Sequence, residues 1–283
     1  MAARIIDGKK IAAEIREQVR GQVQELQAKT GKVPGLAAVL VGDDPASATY
    51  VRTKTKACQE VGITSRQLTP PGNISQSDLL QIIRRLNGDP TIHGILVQLP
   101  LPMHMDERAI LEAVDPRKDV DGFHPQNLGG LLIGHPLFIA STPLGIMELV
   151  DQAGIEVEGK HAVVVCWSVI VGKPTAFLLL QRNATVTICH VKTVDLAFHT
   201  RQADILVVAA GKPGLIRGSM VKDGVVVVDV GINRVGDKLV GDVDFDSVSG
   251  KASFLTPVPG GVGPVTVAML LSNTLLAFER SLT

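Results

Sequence analysis

Tyr50 and Lys54 lie four residues apart in SATYVRTKTKACQEVG, a stretch that reads as a helix ending near Gly62, so they share one face. Tyrosine offers a flat ring and a hydroxyl, and lysine a movable positive charge. The pair suits a planar heterocycle stacked on the ring with the amine near its reacting bond. Burial or cationic neighbours would lower the lysine pKa towards proton-transfer work. A solvated lysine beside a half-buried tyrosine fits the same spacing. Gln98 sits at the carboxyl end of the strand in IHGILVQLPLP, where open α/β sheets place ligands. Its amide can donate to one oxygen while accepting from another donor. Pro100 and Pro102 stiffen the loop, and either is a candidate for a cis bond. A plain strand-to-turn transition competes with this reading. Asp119 and Asp121 flank Val120, just before Gly122. One carboxylate can accept paired hydrogen bonds from the amino group and ring N–H of a heterocycle such as a pterin. An Asp-rich turn is the alternative. This spacing does not specify a metal site, and the seven histidines show no HExxH or ordered ligand spacing, so no metal is expected. His124 reads as a hydrogen-bonding loop residue.

The elements that would position these groups alternate. Ile11, Ile15, Val19, Val23 and Leu26 recur at helical spacing. GLAAVLVG from Gly35 reads as a buried strand, and Pro45 stands near the next helix start. Ser75, with Asp78 three residues on, reads as the cap of a helix whose apolar side is Leu79, Ile82, Ile83 and Leu86. A further helix is expected from Asp106 to Val114. Short aliphatic strands between helices indicate a parallel sheet with crossover helices. Residues 116–141, rich in Gly, Pro and Asp, break the rhythm and read as a functional loop between domains. From Thr142 a second rhythm begins: HAVVVC, KPTAFLLLQR, ATVTIC, DILVVAA and VVVVDVG. It fits a doubly wound dinucleotide-binding sheet, and equally a flavodoxin-like sheet without cofactor. A last helix is expected from about Pro264 to Glu279. The fold class is thus α/β in two domains: a parallel α/β domain, 1–141, and a doubly wound, Rossmann-like domain, 142–263.

Bulk properties bound the function. The 283 residues carry 28 Lys plus Arg against 28 Asp plus Glu, which supports neither a nucleic-acid nor an acidic-membrane partner. Three cysteines without a CxxC pair suit a reducing compartment. The opening residues carry charges throughout and no long apolar run, so no secretory signal is expected. With no run of 18 uncharged apolar residues, no membrane span is expected either. A cytoplasmic location follows, with an organelle matrix as the alternative.

The blocks YVRTKTKAC (50–58), GILVQLPLP (94–102), KDVDGFHPQNLGGL (118–131), STPLGIMELV (141–150) and TPVPGGVGPVTVAMLL (256–271) occur in order across nearly the whole chain. Together they resemble the bifunctional methylenetetrahydrofolate dehydrogenase/methenyltetrahydrofolate cyclohydrolase family. The resemblance implies a homodimer, with folate in a cleft between a catalytic domain and an NADP-binding domain, and the helix 264–283 returning to complete the former. It implies oxidation of 5,10-methylenetetrahydrofolate by NADP, then hydrolysis of the methenyl product to 10-formyltetrahydrofolate. By motif, Lys54 is the principal catalytic side chain, assisted by Gln98. Tyr50 stacks on the folate and Asp121 anchors the pterin. Pro259, Gly260 and Gly261 shape the cleft. Cys166, Trp167, Ser168, Gly172, Val191 and Ile232 fall at cofactor-binding positions.

The cofactor loop departs from the family pattern G-R-S-x-I-V-G-x-P. Here CWSVIVGKP (166–174) puts Cys166 for the glycine and Trp167 for the arginine. HVKT (190–193) puts Val191 where a serine associated with the ribose phosphate is usual. Trp offers one neutral N–H where Arg offers five donors, and Val offers none. Lys192 and His190 remain as partial substitutes. Three readings follow: the bifunctional enzyme, a cyclohydrolase-dominant enzyme with weak NADP or altered NAD use, and a non-catalytic folate-binding protein. Separate assays of hydride transfer and hydrolysis discriminate among them.

Overall fold

The computed structural model describes residues 2–282. Its chain begins β1 (Arg4–Ile5), α1 (Gly8–Thr30), β2 (Gly35–Val39), α2 (Pro45–Glu60), β3 (Thr64–Leu68), α3 (Gln76–Gly88), β4 (Gly94–Val97), α4 (Glu107–Glu112), α5 (Pro125–Leu132) and α6 (Ser141–Gln152). It continues β5 (His161–Val165), α7 (Gly172–Gln181), β6 (Thr185–Cys189), α8 (Leu196–Thr200), β7 (Ile205–Val208), β8 (Val226–Asp229), β9 (Asn233–Val235), β10 (Lys238–Val240), α9 (Phe245–Ser249), β11 (Phe254–Leu255) and α10 (Val262–Ser281). Two compact units result. A three-stranded unit holds Ala13–Ser141 and the chain from Val267 onward; a six-stranded unit holds the chain up to Ala12 and Thr142–Thr266.

The three-stranded sheet is parallel, in the order β3-β2-β4. β2 and β4 are buried along their whole length, as their uninterrupted aliphatic runs require. Ala37, Val39, Ile95 and Val97 pack on Leu79 and Ile83 of α3 and on Ile110 of α4. Each helix start is fixed by a side chain on an otherwise orphan N–H: Asp44 receives Ser47 N, Ser75 receives Asp78 N, and Asp106 receives Ala109 N. β3, TSRQL, escapes sequence reading because this edge strand is mostly exposed and polar.

Residues 116–141 are more ordered than a loop reading suggests, since they contain α5. His124 caps it, accepting from Gln126 N through Nδ1. Before α5, Ile95 N donates to Lys118 O at 2.7 Å, and Ile95 and Asp119 form a parallel bridge. This draws residues 118–121 alongside β4. Asn273 of α10 secures them, its Nδ2 donating to Val120 O at 2.8 Å and Ile139 O at 2.9 Å. α10 is long and apolar enough to cross a membrane, but 67% of its most apolar window is buried inside the protein. Its apolarity therefore belongs to a core helix.

The six-stranded sheet is parallel throughout, in the order β1-β11-β8-β7-β5-β6. From Thr142 onward its strands follow the doubly wound pattern, and the order reverses between β5 and β7. The amino terminus differs from the division at residue 141. Arg4 and Ile5 pair with Phe254 and Leu255, which carries the first residues into this sheet. A two-residue strand with both residues exposed leaves no periodicity to read. The β9–β10 hairpin, α9 and β11 are likewise too short to carry a readable period.

Replacing Asn273 with alanine strips donors from two carbonyls that water reaches poorly. Asn273→Ala is expected to lose about 2 kcal/mol of stability. The loss should appear as a lower urea midpoint with an unchanged slope. An unmoved midpoint would refute this role for Asn273.

Candidate active site

The three-stranded unit brings Lys54, Gln98 and Asp121 to the carboxyl end of its sheet. Lys54 projects from α2 and Gln98 follows the last residue of β4. Lys54 Nζ donates to Gln98 Oε1 at 3.1 Å. The amide is oriented by its other end, because Gln98 Nε2 donates to Leu99 O at 2.7 Å and a carbonyl can only accept. The Leu99–Pro100 peptide bond is cis. Burial lowers the Lys54 pKa below the usual amine value, with Asp121 and Cys58 opposing that shift. Cys58, one turn further along α2, is buried and its thiol is pushed up to about 12, which leaves it unreactive.

The two aspartates of the turn have separate fates. Asp119 is 5% exposed, and its Oδ2 accepts from His124 N at 2.8 Å and Asn127 Nδ2 at 2.7 Å. It is spent on holding the turn. Among the described residues, Asp121 has no hydrogen-bond partner. Burial raises its carboxyl to about 7; Lys54 opposes the shift and Asp119 adds to it. Gly122, at φ +71°, permits the turn, since a side chain there would strike the backbone at Ala140. Tyr50 lies one turn before Lys54 and is 45% exposed. An amine and a carboxylate, both shifted towards neutrality beside an accessible aromatic face, form an arrangement suited to moving protons on a planar ligand.

The six-stranded unit holds the other candidates in two groups. Cys166, Trp167 and Ser168 follow β5, at the point where the strand order reverses. Ser168 Oγ accepts from Val171 N at 3.1 Å and Gly172 N at 3.3 Å, closing the loop onto the start of α7. Gly172 is required here: a Cβ would lie 2.1 Å from Cys166 O. Outside glycine, positive φ occurs among the described residues only at Asn183 and Asp195, so Cys166 replaces a glycine without backbone strain. Trp167 is 59% exposed, with Lys173 Nζ 5.8 Å from its ring centroid and the His190 ring at 6.2 Å. Val191, just past β6, is 88% exposed.

In the second group, Ile232 shares a cavity of about 150 Å³ with Pro259, Gly260 and Gly261. Of two aspartates absent from the sequence reading, Asp229 lines this cavity and Asp242 braces the neighbouring loop 210–212. Asp229 receives Gly231 N, Asp242 N and Val243 N. Asp242 receives Ala210 N, Gly211 N and Lys212 N. Burial raises the Asp229 carboxyl to about 6. An Asp after an aliphatic strand was the only available signal, and nothing local distinguishes it from a turn residue.

Residues 6–121 match the tetrahydrofolate dehydrogenase/cyclohydrolase catalytic domain, and residues 140–282 its NAD(P)-binding domain. The bifunctional protein FolD of Moorella thermoacetica is 59% identical over 281 residues, spanning 99% of this chain and 100% of the relative. The crystal structure of the bifunctional FolD methylenetetrahydrofolate dehydrogenase/cyclohydrolase from Campylobacter jejuni superposes with a TM-score of 0.97 at 53% identity, covering 99% of this chain and 100% of its own. The Trypanosoma brucei enzyme, complexed with NADP cofactor and inhibitor, gives 0.97 at 42% identity, covering 100% and 99%. The chain belongs to the tetrahydrofolate dehydrogenase/cyclohydrolase family.

Proposed function

We propose that the chain oxidises 5,10-methylenetetrahydrofolate with NADP and hydrolyses the methenyl product to 10-formyltetrahydrofolate. The observation that carries this reading is the Lys54–Gln98 hydrogen bond beside the partnerless Asp121 carboxylate. Lys54, with its lowered pKa, takes a proton from the water that attacks the methenyl carbon and passes it to the ring nitrogen as the C–N bond opens, while the added oxygen becomes the formyl carbonyl and its remaining proton leaves to solvent. Gln98 holds the amine in place. Asp121 accepts the pterin amino and ring N–H groups, which favour its ionised form. Tyr50 stacks on the ring system, and Pro259, Gly260 and Gly261 allow close backbone approach. On the boundaries, 1–141 with the last helix forms the folate domain and 142–263 the nucleotide domain, with the first twelve residues reassigned to the latter.

The loop fits a dinucleotide. Gly172 brings the start of α7 tightly against the end of β5, and Ser168 ties that junction by accepting from Val171 N and Gly172 N, which leaves a close backbone approach at the turn. NADP, when bound, accepts the hydride. Cys166, Trp167, Ser168, Gly172, Val191 and Ile232 would line it. Trp167 and Val191 offer the ribose phosphate no charged donor, which favours a second reading with weak NADP discrimination and hydrolysis as the stronger activity. Homodimerisation is part of the proposal, supported by exposed Leu180, Ile188 and Phe198 on α7, the edge strand β6 and α8; sedimentation of the full chain checks it. Three unpaired cysteines support a cytoplasmic setting, and recovery in a soluble cell extract tests that placement.

Lys54→Ala should fold normally by circular dichroism yet lose hydrolysis by roughly 10²–10⁴-fold. Near-normal hydrolysis by the folded variant would reject the role. Asp121→Asn should bind folate more weakly while NADP affinity holds. Wild-type folate binding should weaken as pH falls through about 7 and the carboxylate is neutralised, whereas the variant stays flat. Stability runs the other way: the folded carboxyl holds its proton more tightly than the unfolded one, so wild-type stability falls as pH rises from 3.8 to about 7. Asp121→Asn should therefore melt higher than wild type at mildly alkaline pH, with the gap closing in acid. Equal melting curves across that range would contradict the raised carboxyl. The double variant Trp167→Arg, Val191→Ser should gain affinity selectively for NADP over NAD. Equal gains, or a stronger NADP preference in the wild type, would overturn the account of this pocket.

A further inference from the structure

We propose that the three-stranded unit carries a second ligand site, at the opposite ends of its strands from Lys54 and Gln98, that takes a small aromatic anion. The strands are parallel, so β2, β3 and β4 begin together at one end, and Gln98 follows the finish of β4 at the other. The separation along β4 and Gln98 is roughly 13 Å at the usual strand rise. A groove of about 1060 Å³ opens at the starting end, and all its lining residues belong to this unit.

The floor of the groove is aromatic and aliphatic. Phe138, Phe278 and Ile92 contribute to it, and His93 stands edge-on to Phe278 at 4.7 Å. His93 is 9% exposed. Its Nδ1 accepts from Gly35 N at 2.9 Å, so the ring proton of the neutral imidazole resides on Nε2. No described residue accepts from that Nε2–H. A nine-tenths-buried donor is thus left for a ligand atom. Burial, with Lys118 and Lys32 nearby, keeps the imidazole neutral by lowering its pKa, while Asp89 opposes them.

The rim is cationic. Lys32, Arg66, Arg117, Lys118 and Arg280 line the groove, and among the described residues the side-chain carboxylates beside them are Asp115 and the neighbouring Asp89. Arg66 meets Asp89 only at 3.5 Å, and Arg117 closes on Asp115 at 2.6 Å. Lys118 Nζ is occupied by the carbonyls of Leu86 and Asp89. Arg280 donates to Leu137 O and lies over the Phe138 ring at 5.2 Å. Positive charge exceeds negative around an apolar floor with a vacant N–H donor. That combination selects a flat apolar body bearing a phosphate or carboxylate.

The test titrates the full chain with 1-naphthyl phosphate and 2-naphthoate, with 2-naphthol and inorganic phosphate as controls, following His93 by imidazole NMR. At least one aryl anion should bind saturably and shift His93, and the stronger of the two identifies the preferred acid group. The rim variant Lys32→Glu, Arg117→Glu alters exposed side chains, so it should fold and keep both catalytic rates. It should weaken the aryl anion by about tenfold or more, the order set by reversing nearby charges, and leave 2-naphthol unchanged. Saturating folate and NADP should not displace the anion. The proposal falls if neither aryl anion saturates, if the rim variant binds as wild type does, or if folate or NADP competes.

Discussion

Holding a partly buried carboxylate without a hydrogen-bond partner among the described residues is costly, and much of the three-stranded unit serves to keep Asp121 in that state. The backbone must be fixed first. The Ile95 bridge, the two bonds to Asp119 and the double contact from Asn273 together pin residues 118–122. Lys54 then shares the same poorly solvated space. Each group is moved towards its neutral form by burial, and each partly restrains the other. On the proposed reading, a substrate that brings its own N–H donors meets the unfilled Asp121 acceptor, and the attacking water meets the Lys54 amine. Binding and proton transfer thus draw on a single electrostatic arrangement.

The six-stranded unit works by backbone approach instead. Gly172 lets the helix start close on the end of β5, and Ser168 ties the loop across that junction. Asp229 and Asp242 do the equivalent for the following loops by collecting backbone N–H groups. These supports tolerate a change of side chain above them. That explains how Cys166 and Trp167 stand where the family pattern has glycine and arginine without distorting the loop.

Chemical groups were legible in the sequence wherever a short spacing fixed them on one element. Tyr50 and Lys54 share a helix face, and Gln98 terminates an aliphatic run, so each could be placed from local pattern. The choice between Asp119 and Asp121 could not. It depends on Asn127 and on the bridge to Ile95, partners eight and twenty-four residues away in the chain. Which of the two stays unpaired is a tertiary fact. β3 and the amino-terminal strand were missed because edge strands with exposed residues carry no periodic burial. The segment 116–141 looked like a loop because α5 is brief and contains two glycines. The centre of the six-stranded sheet, β5, β7 and β8, with nearly every residue buried, was plain from its valine runs.

The chain passes between its two units three times: inside α1, at the start of α6 and inside α10. Neither unit is therefore a contiguous stretch of the gene. A fragment ending at residue 141 lacks Asn273, and one starting at residue 142 lacks β1. Exchange of a whole unit between relatives would require three splices, all of them within helices. A single crossover always produces mismatched halves. The two units are thus tied to each other by connectivity, and replacing either one intact means cutting the chain at all three passages.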